Sequence, residues 1–94
     1  MKTLKLVLKK KWFDMIISGE KKEEYRDLTE YWKNRLWVLG YPEEFDAVTF
    51  YLGYAKSRPS ATFKWDGTVI GEGKEEWGAE KGKDYFVIKL GERI

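Results

Sequence analysis

The side chains best suited to chemistry in this 94-residue chain lie in the stretch SGEKKEEYRD, residues 18–27. In an extended strand Glu24 and Arg26 share one face, and Lys21 lies on the other. Both faces carry charge, so a barrel would bury at least one acid–base pair, and such pairs are usually retained for a reason other than stability. The alternative interpretation is an exposed edge strand whose charges prevent aggregation.

A second group of candidates, Tyr31, Trp32 and Arg35, follows on a predicted helix. An arginine beside aromatic rings can bind a phosphate and stack a nucleobase at the same time. The alternative is that the two rings pack on the domain while Arg35 extends into solvent. The residues by themselves leave both interpretations open.

Two further features are weaker candidates for a functional role. The run Lys9–Lys11 could contact phosphates, although a run this short is more often plain solvent-exposed charge. The segment GEGKEEWG, residues 71–78, lacks the spacing of a phosphate-binding loop. Its Trp77 is either an anchor that holds the loop on the domain or an exposed stacking surface, and we favour the anchor.

Composition excludes several classes of site. The chain has no Cys and no His, which removes disulfides, thiolate nucleophiles, imidazole bases and most transition-metal sites. We predict no cofactor and no metal.

The N-terminus alternates Leu with Lys instead of forming an apolar signal segment, and no apolar run reaches membrane-spanning length. A net charge of +2 does not by itself indicate nucleic acid. We expect one cytoplasmic domain spanning residues 1–94.

The elements that must position these residues follow from periodicity. Leu4, Leu6 and Leu8 predict a strand, and residues 10–18 a short helix that stops at Gly19. Residues 21–26 predict a second strand. Asp27, with Glu30 three residues later, predicts a capping box for a helix that runs to residue 39 and ends at Gly40 and Pro42.

The second half of the chain is predicted to be β structure. Strands are indicated at residues 48–54, 61–65, 68–70 and 85–90, with Asp66-Gly67 as a hairpin turn and the last strand in the sheet interior. A charged loop fills residues 71–83. The predicted fold class is α+β: a small mixed or antiparallel β-barrel of five to six strands, with two short helices in the N-terminal half.

The run LKKKWFDMIISGEKKEEYRDLTEYWKNRL resembles the N-terminal half of an ASCH domain, a member of the PUA-like group of small β-barrels. Gly19, Lys21, Glu24 and Arg26 match the family signature Gly-x-Lys-x-x-Glu-x-Arg, which follows a helix that ends in glycine. The closing segment YFVIKLGERI is similar to the last strand of such proteins. The resemblance covers the chain in length and element order, but its specific motif spans only residues 13–36.

The resemblance implies a cleft beside the signature strand that binds RNA or modified nucleosides, in connection with translation or RNA metabolism. Within it, Lys21 and Arg26 would contact phosphate or a base edge, and Glu24 would orient Arg26 or accept a base amino group. Trp32 is a candidate stacking surface and Arg35 a further contact. The expected partner is RNA or a nucleotide-like small molecule, with no membrane partner.

Two alternatives stay open. A subgroup of the family resembles amidohydrolases that act on N(4)-acetylcytidine through a lysine, a threonine and a glutamate. Lys21 matches that lysine, but Glu24 stands where the threonine would be, so we favour a binding protein over an enzyme. The third catalytic member would come from Glu72, Glu75 or Glu76. The other alternative is a protein-interaction or regulatory module that uses exposed aromatic residues.

Overall fold

Five strands of the computed structural model, which describes residues 1–94, form one curled mixed sheet. The strands are β1 (Thr3–Leu8), β2 (Glu23–Arg26), β5 (Ala47–Leu52), β6 (Ser60–Glu72) and β7 (Asp84–Arg93). Two very short strands, β3 (Trp37–Val38) and β4 (Tyr41–Pro42), form a separate hairpin. The helices are α1 (Lys10–Ile17) and α2 (Glu30–Leu36), with a single 3-10 turn at Glu75–Trp77.

The order of the strands in the sheet is β1-β5-β6-β7-β2. β1 runs parallel to β5, and every other pairing in this sheet is antiparallel. The sheet curls into a half-barrel, in which β1 and β2 are the two edge strands. The α+β class and the two helices in the N-terminal half are confirmed, and the curled five-stranded half-barrel is compatible with the predicted barrel of five to six strands. β7 is an interior strand, as predicted.

The core lies inside the curl of the sheet. β1 contributes Leu4, Leu6 and Leu8, and α1 closes one side with Phe13 and Ile16, all of them buried. The alternation of leucine with lysine in β1 therefore sets the inner and outer faces of the sheet. At about 25 cal/mol per Å², burial of apolar side chains is the main stabilising term for a domain of this size.

The hairpin turn predicted at Asp66-Gly67 is wrong. β6 runs through this dipeptide without reversing, and its register against β7 shifts between Phe63 and Trp65 and again between Trp65 and Thr68. Gly67 has a φ of 107°, which suits an irregularity of this kind. The residues on both sides of the dipeptide pair with β7, so long-range pairing overrides the local turn signal. Irregularities of this kind bend and twist the strand that carries them.

The boundaries of α2 also differ from the prediction. The cap is Thr29, whose hydroxyl accepts from the backbone N–H of Trp32 at 3.3 Å, whereas Asp27 forms an ion pair with Lys83. α2 ends at Leu36 instead of residue 39, because the chain turns into the β3–β4 hairpin. No helix in the structure has the length and hydrophobicity needed to cross a bilayer.

Candidate functional site: a cationic and aromatic cleft at the sheet seam

Lys21, Glu24 and Arg26 form one ion-paired cluster. The two carboxylate oxygens of Glu24 face different cations: Oε1 lies 3.3 Å from Nζ of Lys21, and Oε2 lies 2.6 Å from Nη2 of Arg26. The three side chains are 1%, 9% and 17% exposed, respectively. The prediction that this stretch buries an acid–base pair is confirmed. Both oxygens of Glu24 are therefore engaged within the protein.

Lys21 is the most buried member of the cluster. Its ammonium donates to the backbone carbonyl of Trp77 at 2.5 Å and lies over the rings of Trp12 and Tyr25, 5.2 and 4.7 Å from their centroids. Burial lowers the pKa of Lys21 below its ordinary value of 10.5, and the charge of Glu24 opposes that shift. Lys21 does not lie on the strand, because β2 begins at Glu23.

The contact with Trp77 fixes the loop of residues 73–83. The hydroxyl of Tyr25 accepts from the backbone N–H of Lys74 at 3.0 Å and donates to Glu23 at 2.8 Å. Burial raises the pKa of Tyr25 well above its ordinary value. Trp77 is half-buried and belongs to the 3-10 turn, so its main chain holds the loop on the domain. This geometry supports the anchor interpretation.

Arg26 bridges the two edge strands of the half-barrel. Its Nη2 donates across the seam to the carbonyl of Val7 in β1 at 3.2 Å, as well as to Glu24 in its own strand. The Nε of Arg26 is buried and has no hydrogen-bond partner, and it is the one buried side-chain nitrogen or oxygen in this condition. An arginine that spans two unpaired strand edges compensates there for missing ladder hydrogen bonds.

A hollow of about 280 Å³ lies at this seam, between β1, β2 and α2. We call it the seam cleft. Its lining residues are Lys5, Leu6, Val7, Arg26, Tyr31, Trp32, Arg35 and Tyr54. Three of these are cations, three are aromatic and none is acidic. Two nearby α2 residues that face elsewhere, Lys33 and Asn34, do not line it.

The aromatic and guanidinium groups of the seam cleft lie in contact with one another. The carbon centres of the Arg26 and Arg35 guanidinium groups lie 4.9 and 5.4 Å from the centroid of the Trp32 ring. Tyr31 meets Trp32 edge to face, and its hydroxyl accepts from Nη1 of Arg35 at 2.7 Å. The seam cleft therefore holds two guanidinium groups within cation–π distance of one tryptophan ring.

The remaining predicted residues lie elsewhere. Gly19 and Lys21 line a separate hollow of about 540 Å³ between the C-terminal end of α1 and the C-terminal end of β7, and Glu24 lines neither hollow. The structure thus brings Arg26, Trp32 and Arg35 together, and joins Lys21 and Glu24 to them through ion pairs only. The predicted contact of Lys21 with a ligand stays a prediction.

The other candidates are also accounted for. Glu72, Glu75 and Glu76 are exposed, and none forms a hydrogen bond or an ion pair with Lys21. In the lysine run, Lys10 pairs with Asp14 on the next turn of α1, and no member of the run lines the seam cleft.

Sequence reasoning missed Lys5 and Tyr54 as residues of the cleft. Lys5 alternates with the buried leucines of β1, which places it on the opposite face from the core, but nothing local shows which strand lies across the seam. Tyr54 was predicted within a strand, whereas β5 ends at Leu52 and Tyr54 is 85% exposed in the loop that follows.

No family model matches the chain, and searches of curated proteins and of solved structures find no significant match. The resemblance to ASCH domains therefore stays a prediction that rests on the motif alone.

Proposed function

We propose that the protein binds single-stranded RNA, or a nucleotide-like ligand, in the seam cleft. One observation carries this proposal: the cleft gathers three cations and three aromatic rings from four separate parts of the chain and contains no carboxylate. Lys5 comes from β1, Arg26 from β2, Arg35 from α2 and Tyr54 from the loop after β5. Positive charge among aromatic faces is the arrangement that binds single-stranded nucleic acid.

Charge in the cleft is locally unbalanced although the whole chain is nearly neutral. Arg35 and Lys5 are exposed and form no ion pair, so both are available to the acceptors of an anionic ligand, on its phosphate and on its base. The charge of Arg26 is already shared with Glu24. Two free cations and one partly neutralised cation favour an anionic ligand, with an affinity that falls as salt rises.

The size of the cleft limits how much of a ligand it encloses. Its volume of about 280 Å³ is at the lower end of small-molecule sites, which span about 300–1,000 Å³. We expect it to enclose one nucleotide, with the neighbouring nucleotides on the surface. Tyr54 and Tyr31 are 85% and 59% exposed, which leaves their rings accessible for stacking, worth about 1–3 kcal/mol per base.

The fold adds support to the family hypothesis. A curled five-stranded sheet with two helices in the first half is compatible with the PUA-like barrel that the signature of Gly19, Lys21, Glu24 and Arg26 implies. In this proposal the signature acts in two ways. Arg26 reaches the cleft, whereas Lys21 and Glu24 hold Arg26 and the loop of residues 73–83 in place.

The test is the binding of short single-stranded RNA by fluorescence anisotropy, at low and at physiological ionic strength. We expect Arg35→Ala to weaken binding about tenfold, because a hydrogen bond between charged groups contributes about 1.5–3 kcal/mol. Loss of this cation from the cleft should also flatten the slope of log K against log salt, by at most about 0.7.

Lys33→Ala is the matched control. It removes the same charge from an exposed position on the same helix, but Lys33 does not line the cleft. Equal weakening by both variants would show that only the net charge matters, and no binding by the folded wild type would refute the proposal.

An amidohydrolase that acts on N(4)-acetylcytidine is the second candidate, and the Lys21–Glu24 pair favours it. A buried lysine with a lowered pKa beside a carboxylate is an arrangement that enzymes use for acid–base chemistry. Against it, Nζ of Lys21 is held by Trp77 and Glu24. Incubation with acetylated cytidine should release acetate only if this candidate is right, and Lys21→Met should abolish that release.

A further inference from the structure

The hydrogen-bonding groups of the seam cleft are mostly donors. The side chains of Lys5, Arg26 and Arg35 can only donate, and so can the indole of Trp32. A tyrosine hydroxyl can accept, but that of Tyr31 already accepts from Arg35 at 2.7 Å, which leaves the hydroxyl of Tyr54 as the one free side-chain acceptor. The cleft therefore has more hydrogen-bond donors than acceptors.

The acceptors that contact Arg26 are already in use. The carbonyl of Val7 accepts from Arg26 at 3.2 Å, and both carboxylate oxygens of Glu24 face Lys21 and Arg26. A base edge that presents an acceptor to these side chains would match their donors, whereas an amino group at the same point of that edge would leave donors facing donors.

Nucleobases differ in this respect. Uracil and guanine carry a keto oxygen at the position where cytosine and adenine carry an amino group, and arginine pairs best with the keto and ring-nitrogen acceptors of guanine. We infer that the seam cleft selects uracil and guanine, which carry a keto oxygen at this position, over cytosine and adenine, which carry an amino group there. This inference rests on the proposed function, because it names the base that the same cleft takes.

The prediction that Glu24 accepts a base amino group is the direct competitor of this inference. That role would favour cytosine or adenine. It requires a free carboxylate oxygen beside the ligand, whereas Glu24 is 7% exposed, does not line the cleft and has a cation on each oxygen. The donor surplus and the engaged carboxylate thus point to the same preference.

The experiment compares oligouridine with oligocytidine of equal length at one neutral pH and one ionic strength. The two have the same charge and similar stacking area, so a difference in affinity reports the base edge. We expect uridine to bind about fivefold tighter or more, the discrimination that one well-placed pair of hydrogen bonds gives. Oligoinosine against oligoadenosine is the matching purine pair, with the keto form again expected to bind tighter.

Arg35→Gln tests the source of the preference. The amide of Gln both donates and accepts, so the ratio of the two affinities should move toward one, whereas Lys33→Gln, outside the cleft, should leave the ratio unchanged. Equal affinities in the wild type, tighter binding of cytidine, or a ratio unchanged in Arg35→Gln would each overturn the inference. If neither oligonucleotide binds the folded protein, the proposed function fails as well, and this inference fails with it.

Discussion

The substitution Glu24→Gln tests the ion-paired cluster that supports the signature strand. It keeps the shape of the side chain but removes the charge that two cations share, at 3.3 Å from Lys21 and 2.6 Å from Arg26. Removing one partner from a buried ion pair costs about 3–5 kcal/mol, because the remaining charge stays buried without compensation. Lys21, 1% exposed, cannot turn to solvent without releasing the carbonyl of Trp77.

That loss is large compared with the total stability. A chain of 94 residues is expected to have a free energy of unfolding of about 5–14 kcal/mol. A loss of about 3 kcal/mol would lower the midpoint of thermal unfolding by roughly 12–24 °C. Urea unfolding, followed by the fluorescence of the five tryptophans, measures the change directly.

Glu20→Gln is the control, because Glu20 lies in the same charged stretch but is exposed and forms no ion pair. We expect it to change the free energy of unfolding by less than about 0.5 kcal/mol. In the double variant Lys21→Met/Glu24→Gln, part of the loss should be recovered, since one of the unpaired cations is gone. If Glu24→Gln lowers the free energy of unfolding no more than Glu20→Gln does, the buried ion-paired cluster does not stabilise the fold.

Three further predictions concern the buried Lys21 and two backbone positions, Gly73 and Leu39. Because the folded pKa of Lys21 is lowered, the folded state binds fewer protons than the unfolded state between that pKa and 10.5. The free energy of unfolding should therefore rise with pH in that window, and Lys21→Met should lose the rise in pH-dependent urea unfolding. Gly73→Ala should cost about 1–3 kcal/mol, since a Cβ there would lie 2.6 Å from the ring of Tyr25, whereas Gly71→Ala has open space and serves as its control in the same assay. Leu39→Asn should stabilise by about 0.5–1 kcal/mol in thermal unfolding, because Leu39 is 94% exposed and has a φ of 50°, which asparagine tolerates better; no gain would show that this turn is unstrained.

Short-range sequence patterns predicted which helices and strands are present better than they predicted where those elements begin and end. The alternation of leucine and lysine in β1 and the glycine after α1 are local signals, and both elements are present. Asp66-Gly67 is an equally strong local signal, but pairing of both flanking segments with β7 decides that the strand continues. Thr29 and not Asp27 caps α2 for a similar reason, because Asp27 pairs with Lys83, which is distant in sequence.

Of the residues that line the seam cleft, only those that lie close together in the sequence could be predicted. Arg26, Trp32 and Arg35 lie within ten residues of one another, so their common neighbourhood was visible as a motif. Lys5 and Tyr54 reach the cleft through the curl of the sheet, which no local pattern encodes. The separation of Lys21 from the cleft depends on the bend before β2 and on the loop that carries Trp77.

We propose that RNA binds in the seam cleft and not on the surface around Lys21 and Trp77. An NMR titration of labelled protein with oligouridine tests it directly, because the five indole N–H groups of the chain give separate reporters. We expect the signal of Trp32, in the cleft, to shift upon titration, and the signal of Trp77, on the anchored loop, to stay in place. A shift of Trp77 without a shift of Trp32 would contradict it.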